Sequence, residues 1–113
     1  TTAAATDVLV CARGGGGLLR ERLALAGQLW AAGVRAEVVP IAAPSATEEH
    51  DHAARRGARF MVIIDVALLA AGERVRVKSL EGRSLRRGAE SDVPMQEVVE
   101  FLRNTLSGGG TGR

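Results

Sequence analysis

The sequence repeats one local arrangement, in which an amphipathic helical segment ends at a glycine and an apolar strand follows at once. One copy, LALAGQLWAAGVRAEVV, covers residues 23–39, and the other, HAARRGARFMVII, covers residues 52–64. Gly33 and Gly57 suit the left-handed conformation in which helices often end. The strand-like segment DVLVCA at 7–12 precedes the first copy. We therefore predict a β-α-β-α-β unit, in which right-handed crossovers make the three strands parallel.

The rest of the chain extends this unit. Residues 73–80 alternate apolar and basic side chains, which is typical of a strand with one exposed face. We expect an α/β fold, a three-layer α/β/α sandwich with a mixed, mostly parallel sheet of four to five strands. The predicted strands are 7–12, 35–39, 60–65, 73–80 and a short fifth at 84–87. The predicted helices are 18–32, a second between a Ser45–Glu48 capping box and Gly57, a connection or short helical turn at 66–72, and 93–106, capped by Asp92.

Helical projection also predicts which side chains are buried. Trp30 falls within the apolar arc of the first helix, so we expect it in the core. Arg22 falls in the same arc, so its charged end must reach the edge of that arc. On the second helix we expect His50 to be half-buried and His52 to be solvated. This helix also carries acids that suit its positive amino-terminal end: Glu48, Glu49 and Asp51.

Length and composition predict one domain without a membrane-spanning segment. The 113 residues suffice for a core without disulfides or metals. No apolar run approaches the roughly 20 residues that span a bilayer, and the single Cys11 fits a reducing, cytoplasmic location. The chain starts without Met and ends in SGGGTGR. We therefore expect one domain of a longer protein, folded over 1–106, with a flexible glycine-rich tail or linker at 107–113.

The residue pattern provides no catalytic or metal-binding set, and we expect no cofactor. The segment RGGGG at 13–17 follows the first strand, but it matches neither the dinucleotide-binding glycine pattern nor a P-loop. It is best interpreted as a plain flexible loop, with contact to an RNA backbone as an alternative. His50 and His52 are two residues apart on a helix, so they point in different directions and cannot share a metal. Cys11 is expected to be a small core residue.

The basic residues form a local cluster, although the net charge is only +2. Arg74, Arg76 and Lys78 share one face of the predicted fourth strand. One interpretation is a solvated sheet edge that charge protects from edge-to-edge pairing. The other is contact with RNA phosphates, while the scarcity of aromatic residues argues against base stacking. The candidate RNA-binding residues are Arg13, Arg20, Arg74, Arg76, Lys78, Arg83, Arg86 and Arg87.

With this order of elements, the motifs resemble the anticodon-binding domains of class II aminoacyl-tRNA synthetases of the histidyl type. The resemblance covers 7–106 and rests on DVLVCA, LWAAGVRAEVV, GARFMVII and VRVKSLEG. Within that group, the sequence is most similar to the synthetase-like regions of the kinases that phosphorylate the alpha subunit of translation initiation factor 2. The matching positions are Leu29, Trp30, Ala32, Gly33, Ala36 and Glu37, followed by Val75, Val77, Lys78, Ser79 and Glu81.

This resemblance implies a non-catalytic regulatory domain of a cytoplasmic serine/threonine kinase that responds to amino-acid starvation. The implied partners are uncharged tRNA, other domains of the parent kinase and a second copy of the chain, with no membrane. Two alternatives remain open. One is an authentic anticodon-binding domain of a histidyl-type synthetase, and the other is a protein-interaction module that does not bind RNA. A nucleotide-binding enzyme of similar fold would need the phosphate motif and acid–base set that this chain lacks.

Overall fold

A computed structural model describes residues 6–80 and 90–108 of the chain. The described residues form five strands, four α-helices and two 3-10 turns. The strands are β1 (Val8–Arg13), β2 (Ala36–Val38), β3 (Phe60–Asp65), β4 (Arg74–Ser79) and β5 (Glu90–Pro94). The helices are α1 (Leu19–Ala31), α2 (Ala46–Arg56), α3 (Val66–Gly72) and α4 (Val98–Gly108), and the 3-10 turns are Gly15–Gly17 and Met95–Glu97.

The strands form one sheet in the order β2-β1-β3-β4-β5. β1 pairs in parallel with both β2 and β3. β4 is antiparallel to β3 and to β5, so β4 is the one described strand that runs against the others. This topology confirms the predicted mixed sheet and places the apolar β3 at its centre.

Two apolar cores lie on the two faces of the sheet and confirm the three layers. On one face, Leu25 of α1 and Leu102 of α4 pack with alternating sheet residues such as Val62. On the other face, Ala53 of α2 packs with Leu9, Cys11, Met61 and Ile63. Full burial of a Leu or Val side chain stabilises a fold by about 1.5–3 kcal/mol. The fully buried strand residues on both faces therefore make the β1–β3 region the stable centre of the domain.

The fifth strand differs from its sequence prediction. The predicted strand at 84–87 lies outside the described residues, and β5 instead covers Glu90–Pro94, where we expected the loop and cap of the last helix. Val93 lies opposite Val75 in the antiparallel register and is buried beneath α4. Because this pairing makes Asp92 a strand residue, Asp92 cannot cap the helix, and α4 begins at Val98 rather than at Val93.

The segment 66–72 forms α3, which the sequence left as a connection or a short turn. Asp65 ends β3 and caps this helix, because its carboxylate accepts hydrogen bonds from the backbone N–H groups of Ala67 (2.8 Å) and Leu68 (3.4 Å). Leu69 packs against the first core. α3 connects the carboxyl end of β3 to the start of β4. β4 therefore begins beside the end of β3 and runs antiparallel to β3.

Candidate nucleic-acid interface

The basic face of β4 lies on the α2 side of the sheet. In the β3–β4 register, Lys78 lies opposite Met61 and Arg76 lies opposite Ile63. Side chains opposite each other point to the same face, so the basic residues continue the surface that α2 covers over β1 and β3. Over β4 this surface is open, because Arg74 is exposed and Arg76 and Lys78 are half-buried. Their neighbours Val75 and Val77 point into the opposite core, as the alternation predicts.

Carboxylates on β5 neutralise part of this face. Arg76 Nε lies 3.2 Å from Asp92 Oδ1 and 3.6 Å from Glu90 Oε1. The Asp92 carboxylate, by hydrogen bonding and charge, raises the pKa of Arg76. Arg74 donates to the backbone carbonyl of Asp92 at 3.1 Å, which leaves its charge without a carboxylate partner among the described residues. β4 therefore contributes three positive charges and β5 two negative ones.

Lys78 contacts the one histidine that faces this surface. Its Nζ lies 3.5 Å from His50 Nε2, while His50 Nδ1 lies 2.9 Å from the backbone carbonyl of Ala46. A carbonyl accepts only, so Nδ1 carries the proton and Nε2 is the acceptor for Lys78. This contact makes α2 one wall of the open basic surface.

The interpretation of residues 74–78 as a sheet edge is wrong, because β4 lies between β3 and β5. The row of basic residues is therefore not needed to block edge-to-edge pairing. Of the other candidate residues, Arg20 is exposed on α1, and Arg83, Arg86 and Arg87 lie outside the described residues.

Arg13 lies at the carboxyl end of β1 and pairs with Glu49. Its Nη1 contacts Glu49 Oε1, and Glu49 Oε2 accepts a hydrogen bond of 3.3 Å from the backbone N–H of Ala12. Glu49 lies in the first turn of α2, as expected for an acid at the positive end of a helix, and it is completely buried. Burial, together with the charge of Glu49, strongly raises the pKa of the Cys11 thiol, so this cysteine is unreactive. The Arg13 guanidinium serves first to neutralise a buried carboxylate.

The glycine loop is anchored by Arg22 instead of being a plain flexible loop. Gly17 has φ +101°, and a Cβ at this position would lie 1.8 Å from the carbonyl oxygen of Ala42, so only glycine fits. Arg22 is fully buried rather than at the edge of the apolar arc. Its guanidinium donates to the carbonyls of Gly17 (2.7 Å), Val39 (3.0 Å), Ile41 (2.9 Å) and Ala42 (2.8 Å). One side chain therefore joins the loops that follow β1 and β2.

The histidines of α2 exchange their predicted environments. His50 is exposed and His52 is half-buried. His52 Nε2 lies 2.9 Å from Glu37 Oε1, and Arg56 pairs with the other carboxylate oxygen at 2.7 Å. Hydrogen bonding from Arg56, with a contribution from His52, lowers the pKa of Glu37 to about 2. Among the described residues, no group of three His, Cys, Asp or Glu side chains could hold a metal ion.

Trp30 is not a core residue. Its side chain is 56% exposed, and its indole Nε1 donates a 2.7 Å hydrogen bond to the backbone carbonyl of Ala36. The sequence prediction failed because Trp30 lies at the margin of the apolar arc, where a small rotation of α1 decides between core and surface. The domain therefore has an exposed aromatic ring at the start of β2, at the opposite end of the strand order from β5.

Comparisons with known proteins agree with the sequence resemblance. Residues 3–110 match a family described as the anticodon binding domain of tRNAs. The chain is 36% identical over 102 residues to the eIF-2-alpha kinase GCN2 of Arabidopsis thaliana, a match that covers 90% of this chain and 8% of that protein. None of the described helices is long and apolar enough to cross a membrane.

Solved structures of two histidyl-tRNA synthetases share the fold. The S. aureus enzyme aligns with a TM-score of 0.73 at 19% identity, over 88% of this chain and 24% of the enzyme. The enzyme of Nostoc sp. PCC 7120 aligns with a TM-score of 0.71 at 23% identity, over 92% of this chain and 23% of the enzyme. At this identity the likeness shows the fold alone.

Proposed function

Since the chain belongs to the family of tRNA anticodon-binding domains, we propose that it is a non-catalytic regulatory domain that binds uncharged tRNA within a cytoplasmic kinase of initiation factor 2 alpha. The 36% identity to the Arabidopsis kinase over most of the chain supports this context. The synthetase alternative has weaker support, because the likeness to those enzymes is structural and of low identity. In this proposal, phosphorylation and any contact with other kinase domains belong to the parent protein.

The observation that carries the proposal is the open basic surface of β4. Alternate residues of a strand project from the same face about 6.8 Å apart. Arg74, Arg76 and Lys78 therefore present three cations in a row, on a rigid strand between two others. Cations at such positions contact the sugar–phosphate backbone and set the register of an RNA without reading its bases.

The carboxylates on β5 predict that this contact is weak and strongly dependent on salt. A phosphate that binds Arg76 must compete with Asp92 for the same guanidinium. Arg74 and Lys78 have no carboxylate partner among the described residues, so they are the first to engage a phosphate. Such binding comes mostly from counterion release, which falls as salt rises. Modest affinity suits a sensor that must release its ligand.

Titration of the chain with fluorescently labelled deacylated tRNA at several salt concentrations tests the proposal. The double variant Arg74→Glu/Lys78→Glu should bind about tenfold more weakly at low salt. Its log–log salt slope should be shallower by about 0.7–0.9 for each phosphate that the variant no longer neutralises. The matched control is Arg55→Glu, which reverses an exposed charge on α2 away from β4. Equal affinity of the double variant and the wild type, or no binding at low salt, would refute the proposal.

A second candidate function, protein contact without RNA, is supported by the outer surface of α1. Leu19 and Leu23 lie one turn apart and are 39% and 46% exposed, which is unusual for a pair of large apolar residues on one helix. Sedimentation of the chain with and without tRNA separates the candidates. A stable dimer whose sedimentation does not change when tRNA is added supports protein contact.

A further inference from the structure

Two adjoining clefts lie at the amino-terminal end of the parallel strands, away from the β4 surface. The first, of about 440 Å³, lies beside Trp30 and is lined by Thr6 and Arg56. The second, of about 290 Å³, is lined by Arg59 and Arg103. Residues 33–35, including Arg35, line both. We call these two clefts together the Trp30 cleft. Their volumes are in the range of sites for one small ligand and are too small for a duplex.

Trp30 provides a flat apolar surface in a fixed orientation. Its indole N–H is held by the carbonyl of Ala36, at the start of β2. That hydrogen bond uses the edge of the ring and leaves more than half of the side chain exposed. An exposed, oriented aromatic ring is the feature on which unpaired nucleobases stack, and it accepts any base because every base has a π-face.

Two arginines, Arg35 and Arg56, line the cleft beside this ring, and Arg59 and Arg103 line the adjoining cleft. Arg35 pairs with Asp7 at 3.2 Å, and Arg56 pairs with Glu37 at 2.7 Å. Arg103 meets Glu100 of its own helix at 3.1 Å. The Arg35 side chain is 57% exposed, and exposed ion pairs contribute little stability. An incoming phosphate can bind the exposed side of the Arg35 guanidinium while Asp7, which is only 14% exposed, keeps its pairing.

A buried hydroxyl in the same cleft has no ordinary hydrogen-bond partner. Thr6 is 2% exposed, and its Oγ1 makes no hydrogen bond of ordinary length and angle in the described part of the chain. It lies close enough to Glu37 to help lower the pKa of that carboxyl. Buried polar side chains are nearly always paired. The Thr6 hydroxyl therefore has Glu37 as its neighbour and adds a polar group to the wall of the cleft.

From the exposed ring and the guanidinium groups beside it, we propose that the Trp30 cleft binds one unpaired nucleotide of an RNA strand. The base stacks on Trp30 and the phosphate binds Arg35. The inference extends the proposed RNA-binding function by adding a second contact. The Trp30 cleft borders β2 and the basic row lies on β4, with β1 and β3 between them in the sheet.

The chain contains its own reporter for this site. Trp30 is the single Trp and the sequence has no Tyr, so intrinsic fluorescence excited in the Trp band reports only the Trp30 cleft. Titration with a short single-stranded oligoadenylate should quench this fluorescence in a saturable way. Inorganic phosphate and a blunt RNA duplex, at matched ionic strength, should leave it unchanged. No quenching by oligoadenylate, or equal quenching by the duplex, would overturn the proposal.

Variants of the ring test stacking directly, with a labelled oligoadenylate and its anisotropy as the readout. Trp30→Leu should weaken binding by roughly 5- to 150-fold, the range for loss of one base stack. Trp30→Phe keeps a ring and should stay within severalfold of the wild type, and Arg35→Gln should also weaken binding. Gln28→Ala, at an exposed position of the same helix, is the matched control and should bind normally. Equal binding by Trp30→Leu and the wild type would overturn the proposal. If Trp30→Leu fails to fold by circular dichroism, unchanged binding by Arg35→Gln has the same meaning.

The two surfaces can fail independently. If tRNA binds and the β4 double variant weakens it, but oligoadenylate does not quench Trp30, the further inference is wrong and the proposed function stands. If the β4 variant binds tRNA normally while Trp30 quenching persists and depends on Arg35, the role of β4 is wrong and the Trp30 cleft stands. An aromatic residue of a partner protein as the true occupant would give no quenching with oligoadenylate, which overturns the inference.

Discussion

Replacement of the fully buried Arg22 by Met should unfold the domain at a much lower temperature. Met has a similar length and fills the same channel between α1 and the two loops, so packing is largely retained. The change removes four hydrogen bonds from a charged donor to the carbonyls of Gly17, Val39, Ile41 and Ala42. It therefore isolates the polar contribution of the side chain.

The expected loss follows from where those carbonyls lie. Ile41 and Ala42 are exposed, so water can replace the guanidinium there, whereas the carbonyl of the buried Val39 would keep only its 2.8 Å hydrogen bond from the backbone N–H of Ile41. A hydrogen bond from a charged donor contributes about 1.5–3 kcal/mol, and the one to Val39 cannot be replaced by water. Loss of the remaining charge-assisted bonds, net of solvation, brings the expected destabilisation to about 3–5 kcal/mol. For a domain of this size, that lowers Tm by about 10–20 °C.

Urea and thermal denaturation, followed by circular dichroism, measure this loss. Arg20→Met is the matched control, because Arg20 is an exposed arginine two residues away on the same helix. Its replacement should change the free energy of unfolding by less than about 0.5 kcal/mol. If Arg22→Met loses less than about 1 kcal/mol, the four bonds do not hold the loops. The glycine loop would then be held by its backbone alone.

Three further predictions concern the elements around the sheet. Glu49→Gln should destabilise the domain by about 2–4 kcal/mol in a thermal melt, because it leaves the Arg13 cation without its buried counterion; a change below the error of the melt would contradict the pairing. Gly17→Ala should cost at least about 2 kcal/mol, because its Cβ would overlap the Ala42 carbonyl at a positive φ; a melt equal to that of the wild type would show that the loop rearranges freely. The pKa of Glu37 falls to about 2 when the chain folds, so its pairing stabilises the fold above the ordinary carboxyl pKa near 4.3 and is lost as the pH falls from there toward 2. Glu37→Gln should therefore be less stable than the wild type at pH 7, and the difference should shrink between pH 5 and pH 2; a constant difference would refute this assignment.

Local sequence patterns were sufficient for the elements that are strongly periodic or clearly capped. β1, α1 and β3 lie within about one residue of their predicted bounds, since their signals depend only on neighbours along the chain. α2 was correctly bounded by Ser45 and Gly57, but its predicted inner face, with a half-buried His50, was wrong at that residue. Alanines lie on more than one side of this helix, so its apolar stripe is too weak to orient it.

β5 illustrates a different limit. ESDVP contains one large apolar residue and no alternation, so nothing local predicts a strand there. This segment forms a strand because Val93 pairs with Val75 and Asp92 pairs with Arg76 on the neighbouring strand β4. The same pairing turns the β4 cations from an edge into an internal row with acidic neighbours, and that changes their expected affinity for phosphate.

The sequence by itself determined the order of helices and strands, the three-layer sandwich and the family resemblance. Hydrophobic periodicity, helix caps and short sequence motifs are properties of short segments, so they can be read without the tertiary structure. Only the tertiary structure decided which charges are available to a ligand. Arg13 is committed to Glu49, 36 residues away, and Arg22 to carbonyls at 39–42. Trp30, by contrast, lies at the surface. These outcomes depend on the register and rotation of elements that are distant along the chain, and no local pattern records them.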